Sequence, residues 1–455
     1  MIRLRSIVSF IALCLCVASA RAEGWKAGAA KIKITPEKML WMAGYAARTA
    51  PAEGTQIDLW AKALVLEDPR GQKVAVLSVD LVGINRDLAS SVRDALADQY
   101  ALPRAQTAIC TSHTHCGPVV GNRRRPIYSN LTDQQRQDIA DYTTDLEHKL
   151  VAVVGDAVGR LAPADLAWGA GQATFATNRR NNKEADVPKL RAAGRLVGPS
   201  DHDVPVLSVR DGEGRIKAVL FGYACHATVL SFNQYSSDYP GYAQLALEAA
   251  HPEAVALFWA GCGADQNPLP RREPALAKKY GDELAAAVDR TLAGVMRPVE
   301  GELATVYEEI ELPFEHVPTR EELEPQLKSS NKYEAARAKQ LLDQLDEGRP
   351  LNTTYPYPVQ TWRLGRDLRF VLLGGEVVVD FALRLKAELG REPTWVASYT
   401  NDVMAYIPSR RVWVEGGYEG GGAMVYSGHP SRWAPTVEEQ IVKQVRQQVD
   451  AVAAP

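Results

Sequence analysis

Runs of apolar residues closed by polar or turn residues recur along the chain, a pattern typical of buried strands. The clearest runs cover residues 61–66, 74–79, 105–110, 218–224, 255–259, 368–373 and 395–398. Between them, apolar residues recur at threes and fours, as in amphipathic helices, over 85–100, 132–161, 242–250, 274–295, 377–389 and 436–452. The alternation predicts an α/β fold with a mixed, largely parallel β-sheet core covered by helices.

Polar or ionisable residues follow several of these apolar runs directly. The stretches concerned are "ICTSHTH", "FGYACHATV", "LFWAGCGADQNP", "LLGGEV" and "SYTNDVMAY". In open α/β sheets, ligands bind at the carboxyl ends of the strands. We therefore expect the five stretches to converge on one active site at the strand carboxyl ends, although they span about 300 residues of sequence.

A charged segment over residues 319–348 is dense in Glu, Lys and Gln. It predicts a solvated helical hairpin inserted between two strands, either as surface decoration or as a lid. The rest of residues 23–455 is expected to form a single domain.

The N-terminus has the order of a secretory signal peptide. Arg3 and Arg5 precede an apolar stretch over 7–17 and the small-residue segment "ASARA". This predicts a signal peptide over residues 1–22, cleaved after Ala22, and a secreted or periplasmic protein. The apolar stretch is too short to cross a bilayer and no later uninterrupted run is long enough, so we expect no transmembrane span.

The charge balance argues against nucleic acid as a partner. The full chain has a net charge of -3, and residues 1–22 contain three arginines and no acidic residue, so their removal leaves -6. No basic run is suited to binding phosphates. With 46% hydrophobic residues, the chain can bury a large core.

Two histidines one residue apart are the first candidate for chemistry. In an extended segment His113 and His115 would point to the same side and could present two imidazoles to one centre. His226 and Glu376 end two further strands, and converging nitrogen and oxygen donors are what a metal site with an open position for water requires. Each histidine alone could equally be a hydrogen-bonded residue at a strand end.

A series of motifs extends over nearly all of residues 23–455. They are "AKIKITP" (30–36), "MAGYA" (42–46), "AKALVLED" (61–68), "TSHTHCGP" (111–118), "NRR" (178–180), "HAT" (226–228), "GADQNP" (263–268), "GGEV" (374–377) and "AYIPSRRVWVEGGYEGG" (405–421). In this order they resemble the neutral ceramidase family, zinc amidases that hydrolyse N-acyl sphingosines. The resemblance implies a Zn2+ ion held by His113, His226, Glu376 and Tyr406.

The same resemblance implies that His115, Arg179 and Tyr418 surround the scissile amide. His115 would move protons as general base and then acid, while Arg179 and Tyr418 would donate hydrogen bonds to the developing oxyanion. Taken without the resemblance, Arg179 would be interpreted as a surface arginine and Tyr418 as a core tyrosine.

Three features depart from the family pattern. Cys116 stands where a small hydroxyl residue is usual, and Asn267 stands where the family has a serine associated with the lipid head group. The chain also ends soon after a helix over 436–452, so the C-terminal β-sandwich domain of longer family members is expected to be absent.

Cysteines and two aspartates leave further alternatives open. Cys110 and Cys116 could join the neighbouring histidines in a closed structural zinc site, although oxygen donors would then be unexplained. Cys225 and Cys262 could form a disulfide, or all four cysteines could be buried thiols. Asp80 and Asp265 could orient metal-bound histidines or cap helices; these two residues stand at strand ends.

The leading functional hypothesis is a secreted zinc amidase acting on ceramide-like N-acyl lipids. Alternatives are the same centre acting on another amide or ester (an N-acyl amino acid, a sugar amide or a cell-wall amide), a phosphoesterase, and a non-catalytic lipid- or cell-wall-binding module. The expected partner is a small-molecule or lipid N-acyl substrate, and peripheral contact with lipid and the oligomeric state stay open.

Overall fold

The computed structural model describes residues 24–121 and 125–453, so the predicted signal peptide lies outside the described residues. The strands are β1 (Lys26–Lys33), β2 (Gly54–Thr55), β3 (Trp60–Glu67), β4 (Lys73–Val79), β5 (Thr107–Thr111), β6 (Ala162–Pro163), β7 (Asp165–Gln172), β8 (Ala176–Asn178), β9 (Asp203–Arg210), β10 (Ile216–Tyr223), β11 (Gln234–Tyr235), β12 (Val255–Ala260), β13 (Gln266–Pro268), β14 (Arg297–Pro298), β15 (Leu303–Pro313), β16 (Thr354–Leu364), β17 (Leu368–Leu373), β18 (Glu376–Val377), β19 (Thr394–Ala397) and β20 (Tyr406–Ile407).

The helices agree closely with the amphipathic segments of the sequence. They are α1 (Arg86–Tyr100), α2 (Asp133–Val158), α3 (Val187–Ala192), α4 (Asp238–Ala250), α5 (Pro274–Ala293), α6 (Arg320–Leu323), α7 (Lys332–Asp346), α8 (Val379–Leu389), α9 (Arg410–Glu415) and α10 (Val437–Ala451). A capping box begins α2, because Thr132 Oγ1 accepts from the Gln135 amide and the Gln135 side chain accepts from the Thr132 amide.

The larger sheets have the strand orders β5-β4-β3-β1-β6, β12-β10-β9-β7-β14 and β15-β16-β17-β19. Each contains a parallel pair at one edge, namely β4 with β5, β10 with β12, and β17 with β19. The remaining neighbours in these sheets are antiparallel. The predicted mixed α/β fold is confirmed, whereas its largely parallel character holds only for these edge pairs.

One apolar cluster lies where the larger sheets meet. Side chains from all of them take part, and the Trp259 ring lies 5.1 Å from Phe370 and 6.3 Å from Trp395. The opposite faces of the sheets pack against helices, with α2 on β1 and β3, α4 on β12, and α8 on β19. Because the sheets share a core, the carboxyl ends of their parallel strands are held in a fixed relation to one another.

The charged segment over 319–348 contains helices and lies between β15 and β16. It contains α6, a short 3-10 turn over Glu324–Lys328, and α7. Helix α7 packs against two other 3-10 turns, Pro126–Tyr128 and Gly422–Tyr426. The Tyr333 hydroxyl donates to the Ala46 carbonyl, and its ring lies 5.0 Å from Tyr426. The insertion therefore supports neighbouring loops.

Within residues 24–121 and 125–453, none of the helices combines the length and the apolar character needed to cross a membrane.

A buried ion pair ties α8 to the start of β9. Lys386 Nζ lies 2.6 Å from Asp201 Oδ2 and 3.1 Å from Asp203 Oδ2, with Lys386 and Asp201 side chains nearly inaccessible. Removing one partner of such a pair leaves an unpaired buried charge, so Lys386→Met should lower the free energy of unfolding by about 3–5 kcal/mol. Denaturant unfolding of the wild type and of Lys386→Met measures this difference.

The matched control is Lys278→Met, because Lys278 pairs with Asp282 on the exposed face of α5 at 2.6 Å. An exposed pair contributes at most about 1 kcal/mol. Equal losses in the two variants would contradict the structural role of the buried pair.

Candidate metal centre and cleft

The structure brings the predicted ligand residues together at the carboxyl ends of the parallel strands. His113 follows β5, His226 follows β10, and Glu376 follows β17. Strand β18 pairs in parallel with β20, and this pairing sets Glu376 directly opposite Tyr406. Four residues separated by up to 293 positions therefore meet because their strands end at the same place.

The distances between their donor atoms are short and nearly equal. Glu376 Oε2 lies 3.3 Å from His113 Nε2 and 3.4 Å from His226 Nε2. Tyr406 Oη lies 3.4 Å from His226 Nε2. Tetrahedral ligands about 2.0–2.1 Å from a zinc ion would be about 3.3–3.4 Å apart. The spacing of these donors therefore fits a small cation.

The outer nitrogens of two histidines are held by backbone carbonyls. His113 Nδ1 donates to the Val82 carbonyl, and His226 Nδ1 donates to the Gly263 carbonyl at 2.8 Å. A carbonyl only accepts, so both Nδ1 atoms carry the proton and both Nε2 lone pairs are free for a metal. The inner oxygen Oε2 of Glu376 is also buried and accepts no hydrogen bond from the described part of the chain.

The two aspartates considered as histidine partners act elsewhere. Asp80 Oδ2 accepts from the Trp60 amide at 3.0 Å. Asp265 Oδ1 accepts from the Val379 amide at 2.9 Å, at the first residue of α8. The proposed contact between these carboxylates and the metal-site histidines is therefore wrong, and backbone carbonyls take that position.

His115 belongs to the same cluster but is held differently. Its Nε2 lies 3.1 Å from His113 Nε2, and the candidate ligand nitrogens of His113, His115 and His226 lie within 4.8 Å of one another. Its Nδ1 is buried and has no hydrogen-bond partner among the described residues. His115 thus lacks the backbone acceptor that fixes the other two rings.

The segment containing Gly44, Tyr45 and Arg48 forms a cradle for His115. The Tyr45 ring lies 4.7 Å from the imidazole, and Arg48 Nη2 donates to the His115 carbonyl at 2.7 Å. Gly44 has φ +93, and a Cβ there would come within 2.5 Å of His115 Cγ. Glycine is required at this position for both reasons.

The prediction that His113 and His115 lie on one extended segment is wrong. Strand β5 ends at Thr111, and His113 is in the left-handed region at φ +58, so the two histidines do not lie on an extended segment. Tyr399, whose ring lies 4.2 Å from His113, is also left-handed, at φ +55. Such conformations cost free energy in residues other than glycine and cluster at functional sites.

Burial sets the protonation of the cluster. Burial lowers the pKa of His226 to about 4, and burial together with the neighbouring His113 lowers the pKa of His115 well below its usual value. Burial alone would raise the pKa of Glu376, but His113 and His226 hold it well below its usual value. Neutral imidazoles beside an ionised carboxylate are the donor set that a divalent cation requires.

Arg179 and Tyr418 lie beside this cluster. Arg179 Nη2 donates to Tyr406 Oη at 3.3 Å, and Nη1 donates to Asn267 Oδ1 at 3.2 Å. The Tyr418 ring lies 5.2 Å from Tyr406, with the Arg179 guanidinium 5.7 Å above it. Tyr418 is 48% exposed, so it is not the core tyrosine that its sequence context alone would suggest.

A cleft of about 900 Å³, part of it open to solvent, leads to these residues. Its base includes His113, His115, Glu376 and Tyr406. Its walls combine apolar and polar side chains, namely Val82, Ile84, Val120, Ile127, Val403, Met404 and Tyr426 with Asn85, Arg125 and Ser427. Helix α7 packs behind the turns that carry Ile127 and Tyr426, so the charged insertion supports one wall of the cleft.

The cysteines take no part in the cluster. Cys110, Cys116, Cys225 and Cys262 are buried free thiols, so the alternative of a Cys225–Cys262 disulfide is wrong. Within the described residues, the candidate metal-binding group contains histidines and no cysteine, which contradicts a closed site with Cys110 and Cys116. Burial raises the pKa of both thiols to about 12.

Sequence reasoning missed Glu419, Gly44 and Tyr399. Glu419 is 4% exposed and contacts Arg179, although it occupies a glycine-rich stretch that is typical of a surface loop. Gly44 lies in the "MAGYA" motif, which gave the family pattern but no role for the glycine. The sequence has no signal for the left-handed conformation of Tyr399.

Comparisons with known proteins identify the family and the fold. Residues 25–298 match the family model described as neutral/alkaline non-lysosomal ceramidase, N-terminal. The fold is similar to a crystal structure of neutral ceramidase from Pseudomonas aeruginosa, with a TM-score of 0.72 and 18% identity over 95% of this chain and 75% of that chain. A structure described as ceramidase complexed with C2 gives a TM-score of 0.71 and 18% identity, over 94% of this chain and 75% of that chain.

The search of curated proteins gave no match. At 18% identity the structural neighbours establish the fold alone. The family model covers more than half of the sequence, and this extent of match decides the family. The chain belongs to the neutral/alkaline non-lysosomal ceramidase family.

Proposed function

We propose that the protein is a secreted zinc-dependent amidase that hydrolyses the N-acyl amide bond of ceramide-like lipids. Family membership supports a hydrolase of the ceramidase type. The observation that carries the finer proposal is the approach of Glu376 Oε2 to within 3.3 and 3.4 Å of two histidine nitrogens at the base of a cleft with many apolar side chains in its walls.

The residues fit zinc as the cofactor. His113 and His226 would supply imidazole nitrogens, Glu376 a carboxylate oxygen and Tyr406 a phenol oxygen, all donors that zinc accepts at about 2.0–2.2 Å. Burial and the Glu376 carboxylate raise the pKa of Tyr406 well above its usual value, which favours the protonated phenol. A cation held beside the oxygen would act in the opposite direction and favour the ionised form. When bound, zinc lowers the pKa of a water ligand to about 7 and polarises the substrate carbonyl.

His115 is the best placed proton carrier. Its imidazole is neutral near pH 7, because burial and His113 lower its pKa, and its Nε2 adjoins the cluster. It would accept a proton from the attacking water and later donate it to the leaving amine. Its free Nδ1 distinguishes it from His113 and His226, whose outer nitrogens are fixed as expected of metal ligands.

Arg179 and Tyr418 would stabilise the oxyanion of the tetrahedral intermediate. Arg179 is positively charged and already donates to Tyr406 Oη, while Tyr418 lines the cleft. A preorganised donor in such a position can contribute about 2.7–4 kcal/mol to transition-state stabilisation.

The cleft suits a hydrocarbon chain. Its apolar walls exclude water from an acyl group, and the rings of Tyr406, Tyr418 and Tyr426 follow one another from the cluster outward at 5.2 and 6.4 Å. The signal peptide predicted over residues 1–22 supports secretion, and the domain boundary at residue 23 follows from it. The substrate would then be met outside the cytoplasm.

A different N-acyl compound is the second candidate substrate. Asn267 occupies the position associated with the lipid head group in the family, and its Oδ1 is already bonded to Arg179 at 3.2 Å. The bond from Arg179 uses one of the two lone pairs of this oxygen, and the side chain presents an amide where the family has a hydroxyl. This difference is the reason to test an amide with another leaving group, such as an N-acyl amino acid.

The metal site predicts one zinc per chain. His113→Ala and His226→Ala should each lower zinc affinity by more than about 100-fold, beyond the loss typical of an outer partner. His202→Ala is the matched control, because its Nε2 bonds the Ala176 carbonyl at 2.9 Å, outside the cluster. Elemental analysis with chelator competition measures the effect, and wild-type affinity in His113→Ala would refute the ligand assignment.

The activity is tested by release of fatty acid from N-acyl sphingosines and from N-acyl amino acids of the same chain length. We expect zinc-loaded wild type to hydrolyse the sphingosine amide with the higher kcat/KM. His115→Ala should keep its zinc and lose about 10²–10⁴-fold in kcat. Preference for the amino-acid amide would select the second candidate, and no amide hydrolysis by zinc-loaded protein would refute both.

Gly44→Ala should impair hydrolysis by displacing His115. The new Cβ would lie 2.5 Å from the imidazole, so we expect kcat to fall by about 10- to 100-fold. Gly71→Ala is the control, since Gly71 has a similar φ of +82 but open space around its Cβ position. It should lose stability through backbone strain and keep kcat. Steady-state kinetics compare the two, and equal kcat values would contradict the cradle.

A further inference from the structure

We infer that Glu419 is a positioning residue that holds the Arg179 guanidinium against the Tyr406 hydroxyl. The inference rests on the proposed function, in which Arg179 acts on the substrate carbonyl. It assigns a task to the residue that directly follows Tyr418 in the chain.

Both oxygens of Glu419 are used by arginines. Oε1 accepts from Arg179 Nε at 2.7 Å, and Oε2 accepts from Arg180 Nη1 at 2.6 Å. The side chain is only 4% exposed, so this is a buried carboxylate shared by two guanidinium groups. Burial alone would raise the pKa of Glu419, but Arg179 and Arg180 hold it below its usual value, which keeps the carboxylate ionised.

The Nε contact fixes the orientation of the guanidinium plane. With Nε bound to Glu419, Arg179 directs Nη1 to Asn267 Oδ1 and Nη2 to Tyr406 Oη. Without Glu419 the arginine keeps two longer contacts, at 3.2 and 3.3 Å, and loses its nearest negative charge. Without the bond to Nε, the guanidinium plane is no longer held in the orientation that aims Nη1 at Asn267 Oδ1 and Nη2 at Tyr406 Oη.

Glu419 also ties the loop of Tyr418 to the arginine pair. Arg180 Nη2 donates to the Gly416 carbonyl at 2.9 Å, and Gly416 and Gly417 take φ values of +67 and +75 that glycine readily adopts. These turns bring two consecutive side chains to the same guanidinium, because Tyr418 lies under Arg179 while Glu419 bonds its Nε.

Glu415 offers a matched comparison. It bonds Arg180 at 3.1 Å and Arg411 at 3.0 Å, so it carries the same charge in the same network. It is 39% exposed, and its contacts are with Arg180 and Arg411. A substitution at Glu415 therefore removes a negative charge from the network while leaving the Nε contact of Arg179 in place.

The experiment compares Glu419→Gln, Glu415→Gln, Arg179→Gln and the double variant Glu419→Gln/Arg179→Gln in the zinc-loaded chain. We expect Glu419→Gln to lower kcat by about 10- to 100-fold with a smaller change in KM and unchanged zinc content. Glu415→Gln should stay within about twofold of wild type. In the Arg179→Gln background, Glu419→Gln should have little further effect, because its action passes through Arg179.

A measurement independent of activity accompanies the kinetics. In ¹⁵N-labelled protein, the Arg179 Nε–H resonance, identified by its loss in Arg179→Gln, should exchange slowly with solvent in wild type and in Glu415→Gln. It should exchange at least about tenfold faster in Glu419→Gln, because the buried acceptor is weakened. Unchanged exchange in Glu419→Gln overturns the inference whether or not a substrate has been found.

The kinetic outcomes separate the two proposals. Wild-type kcat in Glu419→Gln, or an equal loss in the wild-type and Arg179→Gln backgrounds, overturns the positioning role while amide hydrolysis by the wild type leaves the proposed function intact. Absence of amide hydrolysis in zinc-loaded wild type refutes the proposed function and the catalytic part of the inference together.

Discussion

The approach of the Glu376 carboxylate to the imidazoles of His113 and His226 is the interaction on which the candidate metal centre depends. A buried carboxylate costs several kcal/mol unless it is paired or coordinated, and its inner oxygen accepts no ordinary hydrogen bond among the described residues. The shared core of the larger sheets can hold this arrangement because it keeps the ends of β5, β10 and β17 together. Packing energy from residues far from the cleft thereby keeps the two histidine nitrogens within 3.4 Å of Glu376 Oε2.

Two groups of charged residues lie beside the cleft. Glu376 and the histidines form a group suited to a cation, whereas Arg179 brings a positive charge to the neighbouring Tyr406 hydroxyl. Glu419 balances the charge of Arg179. It accepts a hydrogen bond from Nε, whereas Nη2 of the same guanidinium donates to Tyr406. A phenol that contacts both His226 and Arg179 is thus the point where the two charge systems meet.

The sequence allowed the parallel edge strands and most helices to be predicted, because their apolar runs are uninterrupted and end in turn residues. It did not reveal antiparallel strands such as β16, which contains Pro356 and Pro358, or β7, which contains Gly169 and Gly171. Proline and glycine weaken the strand pattern, and tertiary packing decides these segments. In the candidate site, the histidines and Glu376 could be predicted from their positions after strands and in motifs. The left-handed turn at His113 and the contact of Glu419 with Arg179 were not, because both depend on distant neighbours.

The position of the charged insertion has a consequence for how such an enzyme can diversify. Helices α6 and α7 leave the paired hairpin at Pro313 and Thr354, which remain opposite each other in the ladder. Lengthening a segment anchored in this way costs little closure entropy and leaves the register of β15 and β16 undisturbed. Helix α7 nevertheless packs behind one wall of the cleft. A change in the length or sequence of this insertion can therefore alter the shape of the cleft while leaving in place the strands that position His113, His226 and Glu376.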